Sequence, residues 1–411
     1  MEVQNNNTPR LKLKAVSVMI LIVIMAGSWI QFKVRAQIPR EEVIRHAASQ
    51  YDQLARWAKE NSAIPRSVEK GKIRPIFKGF DWTAGFFPGS LWYLYELTGE
   101  ERWAGEARHF QQRISEMRFF EGSHDLGFIF NNSYGHAYRL ENDPKDFEVL
   151  LDAGNTLIQR FNPVVGAVQS WDVDRGWQSQ RGWSFPVIID NIMNLELLFR
   201  LSEWTGDGKY REVAIAHANT TMENFFRNDY SSFHVVDFDP VTGKPLSFQT
   251  AQGYSDDSSW ARGQAWGLYG FTSVYAFTKD KKFLELAEKI ATYYLNHTHL
   301  PDDKVPHWDL SLSPSLEVPK DASAAAIVAS ALLQLDTFSS VDYRKKAEEI
   351  LQSLSSEKYL ATMGENHNFL IKHCTGSIPH NEEIDVPLNY ADYYFLEAIY
   401  RLKNISSNQI Q

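Results

Sequence analysis

Cysteine is almost absent from this 411-residue chain: Cys374 stands alone, so no intramolecular disulfide can form and stability has to come from packing. Cys/His groups at zinc spacing are missing, as are the GxxxxGK[ST] and GxGxxG loops that cradle phosphates. These gaps remove the usual zinc, ATP and dinucleotide readings, and neither a metal nor a cofactor is expected. Positive charge is in short supply too, with 42 Lys and Arg against 51 Asp and Glu and a net charge of −9. Such an acidic chain points away from nucleic acid, and an anionic ligand would need cations gathered locally in a cleft.

Hydrophobic residues make up 44% of the chain, enough to bury a large core, and 12 Trp, 18 Tyr and 25 Phe exceed what packing alone requires. Residues 11–32, LKLKAVSVMILIVIMAGSWIQF, carry two lysines and then an uncharged apolar run, and Val34 and Ala36 follow in a small-residue cleavage pattern. Residues 1–36 therefore read as a secretion signal, with an uncleaved inner-membrane anchor as the alternative, and a periplasmic location is expected. Residues 37–411 are then one catalytic domain. Its net charge would be −13, because Arg10, Lys12, Lys14, Lys33, Arg35 and Glu2 leave with the signal.

Strand-like alternation is scarce in that domain and helical periodicity abundant. A junction recurs roughly every 60 residues: an apolar helix, a polar turn, then an aromatic on the first turn of a charged amphipathic helix. The aromatics are Trp103, Phe147, Tyr210, Phe283 and Tyr343. Apolar helices are expected to begin near Trp82, Asp125, Ser184, Ser258, Asp321 and Asp385, and charged ones near Glu101, Pro144, Gly208, Lys281 and Asp342. The amphipathic stretch 40–60 supplies a sixth charged helix. Apolar helices need shielding and no polar capping repeats are visible, so an all-α (α/α)6 barrel of six inner and six outer helices is expected.

In such a barrel the long connections 61–81, 118–124, 162–183, 227–257, 297–318 and 357–385 all lead to inner-helix N-termini, where a site would be built. Trp82, Asp125, Asp190, His234, Arg262 and Trp266 gather at these entrances. Asp125 could be a helix cap or a substrate-facing carboxylate. Asp190, in VIIDNIMNL, reads as lying inside an apolar helix already started by Ser184 and Pro186. It is either a hydrogen-bonded core carboxylate or a general acid whose pKa burial raises. Arg262 and Trp266 share a helix face and could hold an acidic sugar, or could be an interior salt bridge beside a core Trp. His234 alone is a weak signal, and Asp256, Asp257 and Asp385 read as caps.

HDLGF (124–128), IIDNIMNLELLF (188–199), QGYSDDSSWARGQAWGLYGF (252–271), DASAAAIVASALL (321–333) and VPLNYADYYFLEAI (386–399) together resemble the unsaturated glucuronyl hydrolases of glycoside hydrolase family 88. The resemblance implies an (α/α)6 barrel that removes the Δ4,5-unsaturated uronic acid from the non-reducing end of lyase-generated oligosaccharides, by hydrating the C4–C5 enol ether. Glycosaminoglycan-type disaccharides are the expected substrates, and no partner protein is implied. It also implies that Asp190 is the general acid/base and Asp125 the second essential carboxylate. His234, Gln252, Arg262 and Trp266 fall at its ligand contacts, Trp82 and Trp171 at its stacking aromatics, and His124 beside them. In loop 373–387 no lysine follows Lys372, and Glu382 and Glu383 would repel an anion, which argues against a preference for a sulfated second sugar. Competing readings are an enzyme on the same barrel acting on unsaturated galacturonyl-rhamnose, an ordinary inverting glycosidase, and a periplasmic glycan-binding protein.

Overall fold

The repeated junction is built from two caps. Apolar helices end on residues in the left-handed region, namely Gly99, Asn142, Gly206 and Lys279, with φ between 56° and 73°. The charged helix that follows starts on an aspartate whose carboxylate accepts a backbone N–H two or three residues on: Asp143, Asp207, Asp280 and Asp342. Each such cap contributes about 1 kcal/mol. One turn further, Trp103, Tyr210, Phe283 and Tyr343 are buried and fix the charged helix against its apolar partner, while Phe147 is half-buried.

Apart from Met1, the computed structural model describes residues 40–408, within the unit Arg40–Gln411. The expected signal, residues 1–36, lies outside the described residues, among which no helix is long and apolar enough to cross a membrane. In chain order the helices are α1 (Arg40–Asn61), α2 (Phe86–Thr98), α3 (Glu101–Gln112), α4 (Leu126–Asn131), α5 (Tyr134–Glu141), α6 (Pro144–Ile158) and α7 (Leu195–Thr205). There follow α8 (Gly208–Asn224), α9 (Ala261–Thr278), α10 (Lys281–Asn296), α11 (Ala322–Asp336), α12 (Tyr343–Leu354) and α13 (Asn389–Asn408).

The inner ring runs α2, α4 with α5, α7, α9, α11 and α13, and it closes because α13 packs back on α2. Phe86 against Tyr393 and Tyr93 against Tyr393, with ring centroids 5.3 and 5.1 Å apart, form that seam. The outer helices are α1, α3, α6, α8, α10 and α12. The sixth of them, α1, packs on α2, and its Tyr51 hydroxyl donates to Asp392 of α13 at 3.1 Å, which seats it beside the last inner helix. This is the (α/α)6 barrel expected from the sequence.

Three sequence expectations are corrected. The third inner helix does not begin at Ser184: Pro186–Ile188 is a strand, and the Ser184 and Phe185 amides donate to Asp237 of the next strand. Asp190 therefore lies near the start of a 3-10 turn, Ile189–Asn194, rather than inside an α-helix. Asp256 and Asp257 cap nothing, since α9 starts after Trp260 with no side-chain cap and Asp256 accepts from the Thr250 amide instead. Asp385 is no cap either: it lies in a strand and pairs with His373 at 2.6 Å.

The long connections carry small antiparallel sheets that the periodicity did not reveal. They are β1 (Ile64–Glu69) with β2 (Lys72–Ile76), β3 (Phe161–Asn162) with β4 (Ala167–Val168), β5 (Pro186–Ile188) with β6 (Val235–Phe238) and β7 (Pro245–Gln249), and β8 (Cys374–Ser377) with β9 (Glu382–Val386). Each lies ahead of an inner-helix N-terminus.

Candidate active site

A cavity of about 340 Å³ opens where these loops meet the inner helices. Its wall includes Trp82, His124, Asp125, Trp171, Asp190, Gln252 and Arg262 of the residues singled out in the sequence. His234 and Trp266 do not reach that wall; both are buried behind it.

Asp125 stands at the N-cap place of α4, yet its side chain makes no capping bond. Its Oδ2 accepts from the Ser123 hydroxyl at 2.6 Å, and its Oδ1 lies 3.4 Å from His124 Nε2. The glycine in HDLGF has a specific task. A Cβ on Gly127 would fall 2.4 Å from Asn194 Cα, so only glycine lets α4 approach the 3-10 turn bearing Asp190 this closely. Asn194 clamps the junction: its Oδ1 accepts from the Phe128 amide at 2.9 Å and its Nδ2 meets His124 Nδ1 at 3.3 Å.

The three-stranded sheet positions Asp190. Ile188 pairs with Val235, and the Ile189 amide donates to the His234 carbonyl at 3.0 Å, so the sheet register brings His234 alongside Asp190. Strand β7 returns the chain so that the Ala251 and Gln252 amides both donate to His234 Nδ1, at 3.0 and 3.1 Å. An Nδ1 that accepts twice carries no proton, which puts the ring hydrogen on Nε2. That Nε2 is 3.8 Å from Asp190 Oδ2. Among the described residues neither atom has a hydrogen-bond partner, and neither has the Arg262 Nε. Unpartnered polar atoms are costly in a protein interior, and a catalytic role is one explanation for keeping them.

The electrostatics separate the two carboxylates. Burial pushes the Asp190 carboxyl up to about 7; the Arg262 charge opposes the rise and the Asp125 charge adds to it. The Trp266 indole N–H also opposes it, without closing a hydrogen bond. Burial likewise holds His234 down to about 3, assisted by Arg262, so this imidazole stays neutral. A carboxyl that exchanges its proton near neutrality, beside a fixed N–H donor, is equipped for general acid/base work.

Arg262 and Trp266, one turn apart on α9, do not together present a cation and a ring to the cavity. Arg262 is 1% exposed, bridges to Asp321 at 2.6 Å and donates to the Thr375 and Gly376 carbonyls. Its guanidinium lies over Trp260 at 4.6 Å, and only its edge reaches the cavity. Trp266 is wholly buried against Phe128 and Tyr394, so it offers no face for stacking. The interior salt bridge beside a core Trp is thus what the fold contains. Trp171 stacks on Trp183 with centroids 5.6 Å apart, and Trp82 tilts against Tyr390 at 5.0 Å, leaving both as cavity walls.

The sequence analysis missed Arg66, Trp177 and Tyr390, which also line the cavity. Arg66 and Trp177 sit in no motif, and Tyr390 lies in VPLNYADYYFLEAI without having been singled out; the fold brings all three to the wall. Arg66 alters the reading of the last loop: it pairs with Glu383 at 2.7 Å and with Asp81 at 2.6 Å, and Glu383 also accepts from Ser67. Burial alone would raise the Glu383 pKa, but Arg66 beside it holds the carboxylate below its ordinary range. Glu383 is therefore a neutralised anchor between β1 and β9, not the free repelling charge expected.

Residues 57–404 match the Glycosyl Hydrolase Family 88 domain. The chain is 42% identical to an unsaturated glucuronyl hydrolase of Formosa agariphila over 327 residues, 79% of this chain and 80% of that protein. It is 35% identical to an unsaturated chondroitin disaccharide hydrolase of Streptococcus agalactiae, covering 89% of this chain and 92% of that one. Among solved structures, an unsaturated glucuronyl hydrolase specific for heparin superposes with a TM-score of 0.84 at 46% identity, covering 89% of this chain and 97% of the other.

Proposed function

Because the chain belongs to glycosyl hydrolase family 88, we propose that its cavity removes the unsaturated uronic acid from the non-reducing end of lyase-generated, glycosaminoglycan-type disaccharides. The observation that carries this reading is Asp190: a buried carboxyl with a free Oδ2, a pKa near 7 and a neutral His234 N–H at 3.8 Å.

The chemistry follows from those atoms. Protonated Asp190 delivers its hydrogen to C4 of the C4–C5 double bond, and the positive charge that develops is shared between C5 and the ring oxygen. The Asp190 carboxylate then takes a proton from the water whose oxygen bonds to C5, which restores the acid. The hemiketal so formed opens to a C5 ketone, C1 becomes a hemiacetal, and the second sugar departs as an alcohol. His234 and Trp266 touch Asp190 rather than the cavity, so they act as positioning residues, holding its free oxygen in place and its proton affinity in range. Asp125, on the wall with His124, binds sugar hydroxyls and keeps Asp190 protonated near neutrality through its like charge.

The test is a panel of unsaturated disaccharides made by lyases, followed by loss of the ultraviolet absorbance of the double bond. Wild-type protein consumes it and releases the second sugar; Asp190→Asn folds and binds but does not consume it. Wild-type inactivity across the panel would leave a glycan-binding protein.

A further inference from the structure

A second cavity, of about 260 Å³, lies toward the other end of the barrel and shares no lining residue with the first. The catalytic cavity is walled by loops and inner-helix N-termini. This one is walled further along the same inner helices, by Arg139 of α5, Arg200 of α7, Tyr269 of α9, Gln334 of α11 and Arg401 of α13. A buried aromatic layer separates the two: Trp266 packs on Phe128 and Tyr394 with centroids 5.1 and 5.4 Å apart, and Tyr269 packs on Tyr394 at 5.4 Å.

The charges here are matched. Arg139 forks onto Glu96 at 3.0 and 2.6 Å, Arg200 holds Glu196 at 2.7 Å, and Arg401 meets Glu397 at 3.1 Å. Glu397 also accepts from the Tyr93 and Tyr269 hydroxyls, at 2.7 and 3.0 Å. His136 accepts from Arg139 on Nδ1 and donates from Nε2 to the Tyr393 hydroxyl. Burial, with Arg139 and Arg200 nearby, holds its pKa well below the ordinary value, so it adds no charge. An anion would meet guanidiniums already neutralised, with the Glu196 carboxylate on the same wall.

What this framework leaves over is a mixed set of donors and acceptors. Asn131 Oδ1, on the wall, is buried without a partner. Arg200 spends Nε and Nη2 on Glu196 Oε1, which leaves Nη1 as a donor and Glu196 Oε2 as an acceptor among the described residues. Gln334 gives its Oε1 to Arg401 and keeps its NH2 group. A hydroxyl both donates and accepts, so neighbouring hydroxyls on one ring can satisfy such a set, whereas a purely accepting anion cannot.

We propose that this cavity binds a small neutral polyhydroxylated molecule of monosaccharide size, held by Arg200, Glu196 and Asn131. The site is separate from the catalytic cavity and independent of what that cavity hydrolyses.

Calorimetric titration with glucose and with N-acetylgalactosamine tests it on wild type, Asn131→Ala, Gly135→Leu and Trp171→Ala, with inorganic phosphate as the anionic probe. Wild type binds one of the sugars saturably, and so does Trp171→Ala, whose change lies in the catalytic cavity. Asn131→Ala weakens that binding on the order of tenfold. Gly135→Leu abolishes it by filling the cavity from a helical position, where the nearest atom to an added Cβ is the Asn131 amide oxygen at 3.3 Å. The one hydrogen bond Asn131 makes through its side chain is to Asn132 at 3.4 Å, so Asn131→Ala melts close to wild type. Absence of saturable sugar binding overturns the site, as does binding lost in Trp171→Ala but kept in Gly135→Leu, unchanged affinity in Asn131→Ala, or phosphate taken in place of the sugars. Should Gly135→Leu fail to fold, the Asn131→Ala affinity decides alone. Turnover of unsaturated disaccharides is read separately, so failure here leaves the hydrolase standing.

Discussion

His234 and Asp190 meet across a strand register: two backbone amides occupy the imidazole Nδ1, and the opposite nitrogen faces the free carboxyl oxygen at 3.8 Å. The histidine is therefore a fixed neutral donor and not a proton carrier. Its ¹⁵N shifts should report the Nε2–H tautomer unchanged from about pH 8 to about pH 5, since burial holds its pKa near 3. Protonation of His234 inside that window would contradict the assignment.

Asp190 gives the activity its alkaline limb. The acid form is the reactive one and burial places its pKa near 7, so kcat/KM falls as pH rises through about 7. The like charge of Asp125 contributes to that elevation, so Asp125→Asn lowers the Asp190 pKa, a shift readable from the carboxyl-carbon titration by NMR even where turnover is lost. A rise, or no change, would show that the two carboxylates are not coupled.

Gly127→Ala puts a methyl group 2.4 Å from the Asn194 backbone, which has no flexible end to yield. The overpacking costs about 1–3 kcal/mol of stability. Since α4 and the 3-10 turn are pushed apart, Asp125 and Asp190 separate, and kcat falls on the order of 10²-fold with a smaller change in KM. Steady-state kinetics beside a denaturant titration test both parts; full activity would mean that the close approach does not set the site.

How much of this the sequence revealed depended on the range of the signal. The outer helices were legible because Asp caps, left-handed ends and buried first-turn aromatics are local. The third inner helix was misplaced because the short apolar run from Phe185 to Met193 looks the same as a strand or a helix, and Pro186 serves either. Asp125 and Asp190 each kept two readings from the residues alone, and only the family resemblance implied their roles. The His234 tautomer and the Asn194 clamp that surround them are set by contacts between distant parts of the chain. Arg66 gave no local sign, and Tyr390 stood in a motif with nothing to mark it as a wall residue: they enter the cavity from the first hairpin and from the last helix. Asp256 and Asp385 looked like caps by composition, but tertiary hydrogen bonds claimed their carboxylates.

Arg262 is structural before it is anything else. Arg262→Met leaves Asp321 buried without its partner and frees the Thr375 and Gly376 carbonyls. The loss is about 3–5 kcal/mol, and it appears in thermal melting whether or not substrate is present. Near-native stability would show that this ion pair is dispensable to the barrel.

The central claim is that Asp190 protonates C4 of an unsaturated uronate. Turnover in heavy water, with the released uronate analysed by NMR, tests it directly. One deuterium at C4 of the wild-type product and no product with Asp190→Asn is the predicted result. Product without deuterium at C4, or labelled product still formed by Asp190→Asn, would contradict the account.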